Sequence, residues 1–253
     1  MIIAVTARNV QLGLGLIGIG KPWGVAPRPV PPEAEAIALL EFAFGLGIRY
    51  FDTAPSYGDG VSEQRLGRFL QSLAPADREG VTAATKFGEH WNAASGEPYA
   101  DHSFDALARS LELSMARLGR IDVLQLHKTT PQALLSGSVS RAWDFAASLG
   151  IRQFGASVSD PESARLAIAD ARYTMMQIPF NASHQLLAPV LDEASARGMW
   201  IAVNRPFAMG AISADPCQAF RFILERGFTG VVLSGTTSRE HLRENWNAFH
   251  SVA

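Results

Sequence analysis

Hydrophobic and polar positions divide the chain into short apolar runs that alternate with longer amphipathic segments. Short apolar runs are typical of parallel strands buried on both faces, and apolar residues spaced three and four apart predict helices. The predicted strands cover residues 12–17, 50–54, 81–86, 121–127, 151–157, 173–180, 199–205 and 231–235. The predicted helices cover residues 33–46, 62–70, 103–118, 139–149, 160–169, 188–197, 216–226 and 238–249.

Residues with special backbone preferences mark several of the predicted helix ends. Pro32 precedes the first helix, where the missing N–H of proline is not needed, and Gly47 follows it as a C-cap. Ser238 precedes the last helix as an N-cap candidate, because its hydroxyl can accept a hydrogen bond from a free helical N–H.

Eight strand–helix units fill the 253 residues with nothing left over. This is about 31 residues per unit, a spacing typical of a (β/α)8 barrel. We therefore expect a single (β/α)8 barrel domain over residues 1–253. An open doubly wound sheet is the alternative, and the eight complete units argue against it.

Composition and charge exclude several classes of protein. Hydrophobic residues make up 47% of the chain and charged residues 18%, which rules out a disordered chain. The formal net charge of -2 argues against a non-specific nucleic-acid binder. Residues 173–191 are the longest stretch without Asp, Glu, Lys or Arg, and they are too polar to span a membrane. Cys217 is the only cysteine, so a reducing, cytoplasmic location is expected.

Residues 13–18 spell Gly-x-Gly-x-x-Gly, the pattern of a dinucleotide-binding turn. That turn requires a helix to begin directly after the motif, so that helical N–H groups meet the pyrophosphate. Glycines and prolines follow instead, so no helix can begin before Pro32. We interpret the motif as a glycine-rich barrel strand that leads into a long loop.

Polar side chains end several predicted strands, and the carboxyl ends of the strands carry the active site of a barrel. Asp52, Lys86 and His127 end the second, third and fourth strands, and Tyr57 follows the second. An ammonium group lowers the pKa of a nearby tyrosine, a carboxylate keeps the ammonium charged, and a histidine can hold a carbonyl oxygen. Each residue alone could be a cap or a core residue, but together they predict a general-acid device for carbonyl reduction.

Three stretches around these residues resemble signatures of the aldo-keto reductase superfamily. They are residues 47–67, which contain Tyr50-Phe51-Asp52-Thr53-Ala54, Tyr57-Gly58, Ser62-Glu63 and Leu66-Gly67, then Thr85-Lys86, and then residues 121–127. The resemblance continues through the barrel to the last helix. It implies a (β/α)8 barrel that uses NADP(H), or alternatively NAD(H), to reduce aldehydes or ketones.

The resemblance also implies a role for each of the four strand-end residues. Tyr57 would be the proton donor, and Lys86 and Asp52 would lower its pKa. His127 would orient the carbonyl group of the substrate.

The implied nicotinamide site departs from the family pattern at two positions. Ser157 and Gln177 match residues that hold the nicotinamide carboxamide, but Val158 stands where the family has asparagine. Asn204, followed by Arg205, stands where an aromatic ring often stacks on the nicotinamide.

The implied adenosine site lies near the end of the chain. Its candidates are Gly235, Thr236, Arg239, Glu244 and Asn245. Because Gly235 and His241 replace the basic residues that bind the 2′-phosphate of NADP, Arg239 is the candidate substitute, and the choice between NADP(H) and NAD(H) stays open.

Three aromatic residues in predicted loops are candidates for the walls of a substrate pocket. They are Trp23, Trp91 and Phe207, and packing beneath the loops is the alternative interpretation. The histidines outside the site have no metal-ligand spacing, so no metal is expected.

Three hypotheses about function follow. The first is an NAD(P)H-dependent reductase that acts on small-molecule carbonyl substrates, without a nucleic-acid or membrane partner. The second is a nicotinamide-binding sensor or subunit with little turnover, which Val158 and Asn204 motivate. The third is a Schiff-base lyase built on Lys86, which would leave Tyr57 and Asp52 unexplained.

Overall fold

The computed structural model describes residues 9–92, 94–211 and 215–253. The strands in these ranges are β1 (Val10–Gly15), β2 (Tyr50–Asp52), β3 (Thr82–Phe87), β4 (Glu89–Asn92), β5 (Glu97–Ala100), β6 (Val123–Leu126), β7 (Gln153–Ser157), β8 (Met175–Pro179), β9 (Trp200–Asn204) and β10 (Gly230–Ser234). All except β4 and β5 close into one barrel in the order β1, β10, β9, β8, β7, β6, β3, β2. Neighbouring barrel strands are parallel, and β1 pairs with both β2 and β10. The predicted barrel is confirmed, and the open sheet is excluded.

Helices connect the strands of the barrel. They are α1 (Glu33–Leu46), α2 (Val61–Ser72), α3 (Pro75–Glu79), α4 (Phe104–Leu118), α5 (Pro131–Leu134), α6 (Gly137–Ser148), α7 (Pro161–Ala169), α8 (Ala188–Ala196), α9 (Pro216–Leu224) and α10 (Arg239–Val252). Eight of them correspond to the predicted helices. The short helices α3 and α5 were not predicted, since segments of four or five residues show no clear helical period.

The predicted caps form where sequence placed them. Gly47 ends α1 with a φ of 110°, and its N–H donates to the carbonyls of Ala43 and Phe44. The hydroxyl of Ser238 accepts a hydrogen bond from the N–H of His241 and begins α10. The positive φ of Gly47 is a left-handed conformation that ordinary side chains disfavour, so glycine suits the turn into β2.

One cluster of buried apolar side chains fills the space between strands and helices. A second cluster consists of side chains from the barrel strands alone. The second cluster consists of Tyr50, Ala84, Val123, Met175, Ala202, Val231 and Leu233, from six different barrel strands. Gly13 leaves room for it, because a Cβ at this position would lie 2.6 Å from Cγ2 of Val231. The glycine-rich run is therefore a barrel strand, followed by a 3-10 turn at Ile17–Ile19.

A two-stranded antiparallel hairpin, absent from the predictions, follows β3. Strands β4 and β5 pair from Glu89 with Ala100 to Asn92 with Glu97. The segments contain charged residues and a proline, so they carry no apolar alternation that would predict strands. The hairpin brings Glu89 and Trp91 next to the carboxyl end of the barrel.

Five residues other than glycine have a positive φ in the described part of the chain. They are Asp59, Lys128, Arg205, Ala208 and Met209, with φ values of 53°, 50°, 56°, 47° and 61°. All five lie in loops that follow the carboxyl ends of β2, β6 and β9. Left-handed backbone costs energy for residues with a Cβ, so this face of the barrel carries the strain.

Among the residues that the structure describes, no helix is long and apolar enough to span a membrane.

Candidate active site

A buried ion pair between Lys86 and Asp52 lies at the carboxyl end of the barrel. Lys86 Nζ is 2.6 Å from Asp52 Oδ2 and also donates to the carbonyl of Thr53 at 2.8 Å. The Lys86 side chain is completely buried. Burial by itself lowers the pKa of Lys86, but the carboxylate of Asp52 and the hydroxyl of Tyr57 outweigh it, so the pKa is raised. Lys86 therefore carries its charge in the folded protein.

Two glutamines fix the other oxygen of the Asp52 carboxylate. Gln125 on β6 and Gln177 on β8 each donate from Nε2 to Asp52 Oδ1 at 2.9 Å. With Lys86, three donors converge on this one buried carboxylate. Such a carboxylate has little freedom to rotate, so it holds the ammonium of Lys86 in a fixed position.

Tyr57 reaches the same cluster from the loop after β2. Its hydroxyl lies 3.4 Å from Lys86 Nζ. Close packing of two backbone segments sets the position of this loop, since a Cβ on Gly20 would lie 2.2 Å from the Tyr57 carbonyl oxygen. A Cβ on Gly58 would likewise lie 2.0 Å from the Gly20 carbonyl oxygen. The backbone around Tyr57 therefore fits against the turn after β1 only where both contact residues are glycine.

The pKa of Tyr57 differs from the sequence-based expectation. Burial raises it, the charge of Lys86 lowers it, and the charge of Asp52 raises it again, so the pKa lies above the usual value of 10.0. Lys86 lowers the pKa of Tyr57 as expected, but the expected net decrease and the lowering by Asp52 were wrong, for two reasons. Burial of the tyrosine exceeds the effect of Lys86, and a carboxylate opposes ionisation of a phenol. Tyr57 therefore keeps its proton near neutral pH.

His127 follows β6 and packs against the Tyr57 ring in a T-shaped arrangement, with the ring centroids 6.3 Å apart. Burial lowers the pKa of His127 to about 3, and the charges of Lys86, Lys128 and Lys21 act in the same direction. The imidazole is therefore neutral near pH 7. A neutral imidazole can hold a carbonyl oxygen through a hydrogen bond without adding a charge to the site.

Glu89 on β4 is a carboxylate that sequence analysis missed. Its Oε2 lies 3.3 Å from His127 Nδ1 and accepts a short hydrogen bond from the hydroxyl of Ser56, and its Oε1 lies 3.1 Å from Lys128 Nζ. Burial acts to raise the pKa of Glu89, but the hydrogen bond from Ser56 and the ammonium of Lys128 oppose it, and the pKa is lowered. Glu89 is therefore ionised beside a neutral His127, and the contact is not an ion pair.

Ser157, Gln177 and Asn204 form a chain of polar groups across the ends of β7, β8 and β9. Gln177 Oε1 accepts hydrogen bonds from Ser157 Oγ at 3.3 Å and from Asn204 Nδ2 at 3.2 Å. Oδ1 of Asn204 is buried and has no hydrogen-bond partner within the described residues. Val158 is buried in the core and adds no polar group.

The predicted adenosine residues divide into two groups. Arg239 and Glu244 are exposed and line a groove of about 500 Å³ with Phe42, Glu240, Arg243 and Asn247. Asn245 is instead buried and donates to the hydroxyl of Ser234 at 2.8 Å, so it ties α10 to β10. Gly235 is exposed and Thr236 is half-buried.

The aromatic candidates are in different environments. Trp23 and Trp91 both lie near Lys21, whose Nζ is 5.9 Å from the centroid of each indole. The Arg205 guanidinium is also 5.9 Å from the Trp23 ring. Phe207 packs edge-on against Phe220 of α9, with the ring centroids 5.3 Å apart. The structure thus brings the two tryptophans together, while Phe207 contacts the core.

Comparison with known proteins agrees with this geometry. The sequence matches the model of the Aldo/keto reductase family over residues 11–216. The chain belongs to this family.

Individual members of the family show how far the similarity extends. An aldo-keto reductase of Schizosaccharomyces pombe, whose name specifies NADP(+), is 28% identical over 67% of this chain and 48% of its own length. L-galactose dehydrogenase of Arabidopsis thaliana is 34% identical over 47% of this chain and 36% of its own length. The matches thus span about half of these curated relatives or less. A crystal structure from Pseudomonas aeruginosa, assigned as an aldo-keto reductase, is 28% identical, has a TM-score of 0.79, and is matched over 95% of this chain and 90% of that chain.

Part of the aldo-keto reductase signature supports the scaffold. Glu63 is completely buried, where its Oε1 accepts from Thr85 at 2.6 Å and its Oε2 from Arg117 at 3.0 Å. Ser62 donates to the Leu16 carbonyl at 3.0 Å. These bonds hold the N-terminal turn of α2 against β3, α4 and the turn that follows β1.

Sequence reasoning missed three residues of the site in this aldo-keto reductase family member. Gln125 could have been found, because it lies two residues before His127 and so shares its face of β6. Glu89 and Lys21 lie outside the barrel strands, and only the path of the loops brings them to the site. No sequence signal identified those two.

Proposed function

We propose that this protein transfers a hydride from NADP(H), with NAD(H) as the alternative, to a small aldehyde or ketone, with Tyr57 as the proton donor. One observation carries the proposal. A completely buried lysine contacts both the Asp52 carboxylate and the Tyr57 hydroxyl, at 2.6 Å and 3.4 Å. This arrangement supplies an acid next to a fixed positive charge, which is what reduction of a carbonyl requires.

The residues at the ends of β7, β8 and β9 fit a nicotinamide. A carboxamide group needs one acceptor for its N–H and one donor for its oxygen. The unpartnered Oδ1 of Asn204 can accept, and the Ser157 hydroxyl can donate if it turns away from its 3.3 Å hydrogen bond to Gln177 Oε1. We therefore assign Asn204, Ser157 and Gln177 to the nicotinamide end, and Arg239 and Glu244 with their groove to the adenosine end. Arg205 and Thr236 are further candidates beside them. The bound cofactor would supply the hydride.

The protein residues then carry the rest of the reaction. His127 is neutral and holds the carbonyl oxygen beside Tyr57. The Tyr57 hydroxyl gives its proton to that oxygen as negative charge develops. The ammonium of Lys86 stabilises the phenolate that remains, and Asp52 keeps the ammonium charged and in place. The product is an alcohol, and a proton from solvent restores Tyr57.

Replacement of Tyr57 by phenylalanine tests the proposal. We expect Tyr57→Phe to lower kcat for a panel of aldehydes by about 10²- to 10⁴-fold, the usual contribution of a positioned general acid. The dissociation constant for NADPH, measured by tryptophan fluorescence, should change little. Turnover in Tyr57→Phe equal to that of the parent protein would refute the mechanism.

The two alternative functions predict results that differ from those of a reductase. A nicotinamide-binding protein with little turnover, which the buried Val158 favours, would bind NADPH without reducing any carbonyl of the panel. A Schiff-base lyase would need an uncharged Lys86 amine. The buried contacts of Lys86 with Asp52 and Thr53 keep that lysine charged and disfavour this alternative.

We also propose that residues 1–253 act as one domain in a reducing cytoplasm on a small-molecule substrate, without a metal or nucleic-acid partner. Cys217 is half-buried and lies 3.5 Å from the hydroxyl of Ser251, which is compatible with a free thiol.

A further inference from the structure

All three lysines of the chain lie around the carboxyl end of the barrel. Lys21 follows the turn after β1, Lys86 belongs to β3, and Lys128 comes directly after His127. The other 19 of the 22 basic residues are arginines. An ammonium group is a compact point charge, unlike the broad guanidinium. The lysines are therefore concentrated where a small ligand would bind.

Two of these lysines have carboxylate partners, and the third has none among the residues that the structure describes. Lys86 Nζ contacts Asp52 at 2.6 Å, and Lys128 Nζ contacts Glu89 at 3.1 Å. Within residues 9–92, 94–211 and 215–253, Lys21 Nζ has no carboxylate oxygen within 4.0 Å. The positive charge of Lys21 is thus not neutralised by the described part of the protein.

Neighbouring side chains and backbone hold Lys21 close to the proton donor. Lys21 follows Gly20, whose backbone packs against the carbonyl of Tyr57. Its N–H donates to the Ile17 carbonyl at 2.9 Å, and its Nζ lies 5.9 Å from the Trp23 and Trp91 rings alike. The faces of both indoles attract a cation, so they favour a position of the ammonium between the loops.

The charge of Lys21 acts on the reacting end of the site. It is one of the charges that lower the pKa of His127, after burial, Lys86 and Lys128. His127 lies beside Tyr57, where the carbonyl group would be held. Lys21 is therefore placed to meet the substrate, whereas Arg239 lies in the groove of α10 that we assign to the adenosine end of the cofactor.

We propose that Lys21, between Trp23 and Trp91, binds an anionic group of the carbonyl substrate, either a carboxylate or a phosphate. This inference rests on the proposed function and names the substrate class. The Arg205 guanidinium, 5.9 Å from the centroid of the Trp23 ring, adds a second positive charge to the same mouth. An aldehyde with an anionic group would neutralise Lys21 through a charge-assisted hydrogen bond.

Matched pairs of substrates test the proposal and separate the two anions. We would measure kcat/KM for 4-oxobutanoate against butanal, and for glyceraldehyde 3-phosphate against glyceraldehyde. We expect the parent protein to prefer the anionic member of at least one pair by about tenfold to hundredfold, the range of a hydrogen bond to a charged group. Lys21→Met should abolish that preference, and Lys21→Arg should retain part of it.

Arg28→Met is the matched control, because it removes an exposed positive charge from the same loop. The preference should persist in this variant. In the parent protein, the KM of the preferred anionic substrate should also rise with ionic strength, and in Lys21→Met this dependence should be weaker. Equal rates within both pairs, or a preference that survives Lys21→Met, would overturn the proposal. A higher dissociation constant for NADPH with an unchanged preference would also overturn it, because Lys21 would then bind the cofactor.

A binding measurement keeps the test independent of turnover. Butanoate and inorganic phosphate would be titrated against tryptophan fluorescence, since both indoles flank Lys21. We expect a change in emission in the parent protein with at least one anion, and a much weaker change in Lys21→Met. The absence of any difference between the two proteins would refute anion binding even if no carbonyl were reduced. If the parent protein reduced none of the four aldehydes, that result would instead contradict the proposed function.

Discussion

Glu89 Oε2 lies 3.3 Å from Nδ1 of His127, although the two residues belong to different connections of the barrel. The hydroxyl of Ser56 and the ammonium of Lys128 hold the same carboxylate from two other directions. The ring of His127 thus has a carboxylate beside Nδ1, although Nδ1 makes no hydrogen bond within the described residues, and it packs edge-to-face with Tyr57. We infer that Glu89 is a positioning residue that limits the orientations of the imidazole.

Removal of this carboxylate is expected to slow catalysis. Glu89→Ala frees the His127 ring, so we expect kcat/KM to fall about tenfold to hundredfold, as small errors of position commonly cause. The pKa of His127 should also fall further, because the charge of Glu89 raises it. Glu89→Gln is the control, because it keeps the size and one acceptor oxygen, and its rate should lie between the two. A parent-like rate in Glu89→Ala would show that His127 needs no support from Glu89.

The ion pair of Asp52 and Lys86 makes a prediction about stability. Asp52→Leu leaves the ammonium of Lys86 buried without its partner, and we expect a loss of about 3–5 kcal/mol in the free energy of unfolding. The double variant Asp52→Leu with Lys86→Met removes both charges and should recover much of that loss. Urea denaturation of the three proteins measures these differences. A double variant no more stable than Asp52→Leu would mean that packing, not the unpaired charge, sets the cost.

His127 should make the protein sensitive to acid. Its pKa is lowered to about 3 in the folded protein, mainly by burial, whereas an unfolded chain has an ordinary histidine. Between pH 6.5 and 3 the unfolded chain therefore binds a proton that the folded protein does not, and stability falls as the pH falls. We expect Tm to decrease less between pH 7 and pH 5 in His127→Gln than in the parent protein. Parallel decreases in the two proteins would contradict the lowered pKa.

Asn204 Oδ1 has no hydrogen-bond partner within the described residues, which destabilises the cofactor-free protein but leaves an acceptor for the cofactor. Asn204→Leu should weaken NADPH binding by about tenfold, because the carboxamide N–H would lose a buried acceptor. The unfolding free energy of the cofactor-free protein should change by less than about 1 kcal/mol, since loss of the Nδ2 hydrogen bond to Gln177 Oε1 is offset by removal of the buried, unpartnered Oδ1.

An NADP analogue with a 3-acetylpyridine ring provides the control for Asn204. The acetyl group has no N–H to donate, so the parent protein and Asn204→Leu should bind this analogue alike. If the variant weakened both cofactors to the same extent, the effect would come from packing around Gln177 and not from the carboxamide.

Much of the fold was predictable because its signals are local. The helix bounded by Pro32 and Gly47 and the apolar strands each depend on neighbouring residues, and their order alone indicates a barrel. The hairpin of β4 and β5 was not predictable in this way. Its pairing joins segments without apolar alternation, and the turn signal Ser95-Gly96 between them does not by itself predict strands.

The site was predictable to the extent that strand ends meet at one face. Asp52, Lys86 and His127 belong to strands whose carboxyl ends meet, so their proximity follows from the fold. The direction of the Tyr57 pKa shift did not follow, because it depends on how deeply the hydroxyl is buried. Lys21 and Glu89 required the three-dimensional path of two connections that carry no regular pattern.

The residues with positive φ in the loops after β2, β6 and β9 have a consequence for engineering. At roughly 1–2 kcal/mol for each such residue, glycine at positions 128, 205 or 209 would be the choice of a designer who optimised folding alone. The natural residues Lys128 and Arg205 instead bring cations to the mouth of the barrel. Variants selected for heat resistance and variants selected for turnover should therefore diverge first in these loops, and a screen for one property alone would favour the wrong residues for the other.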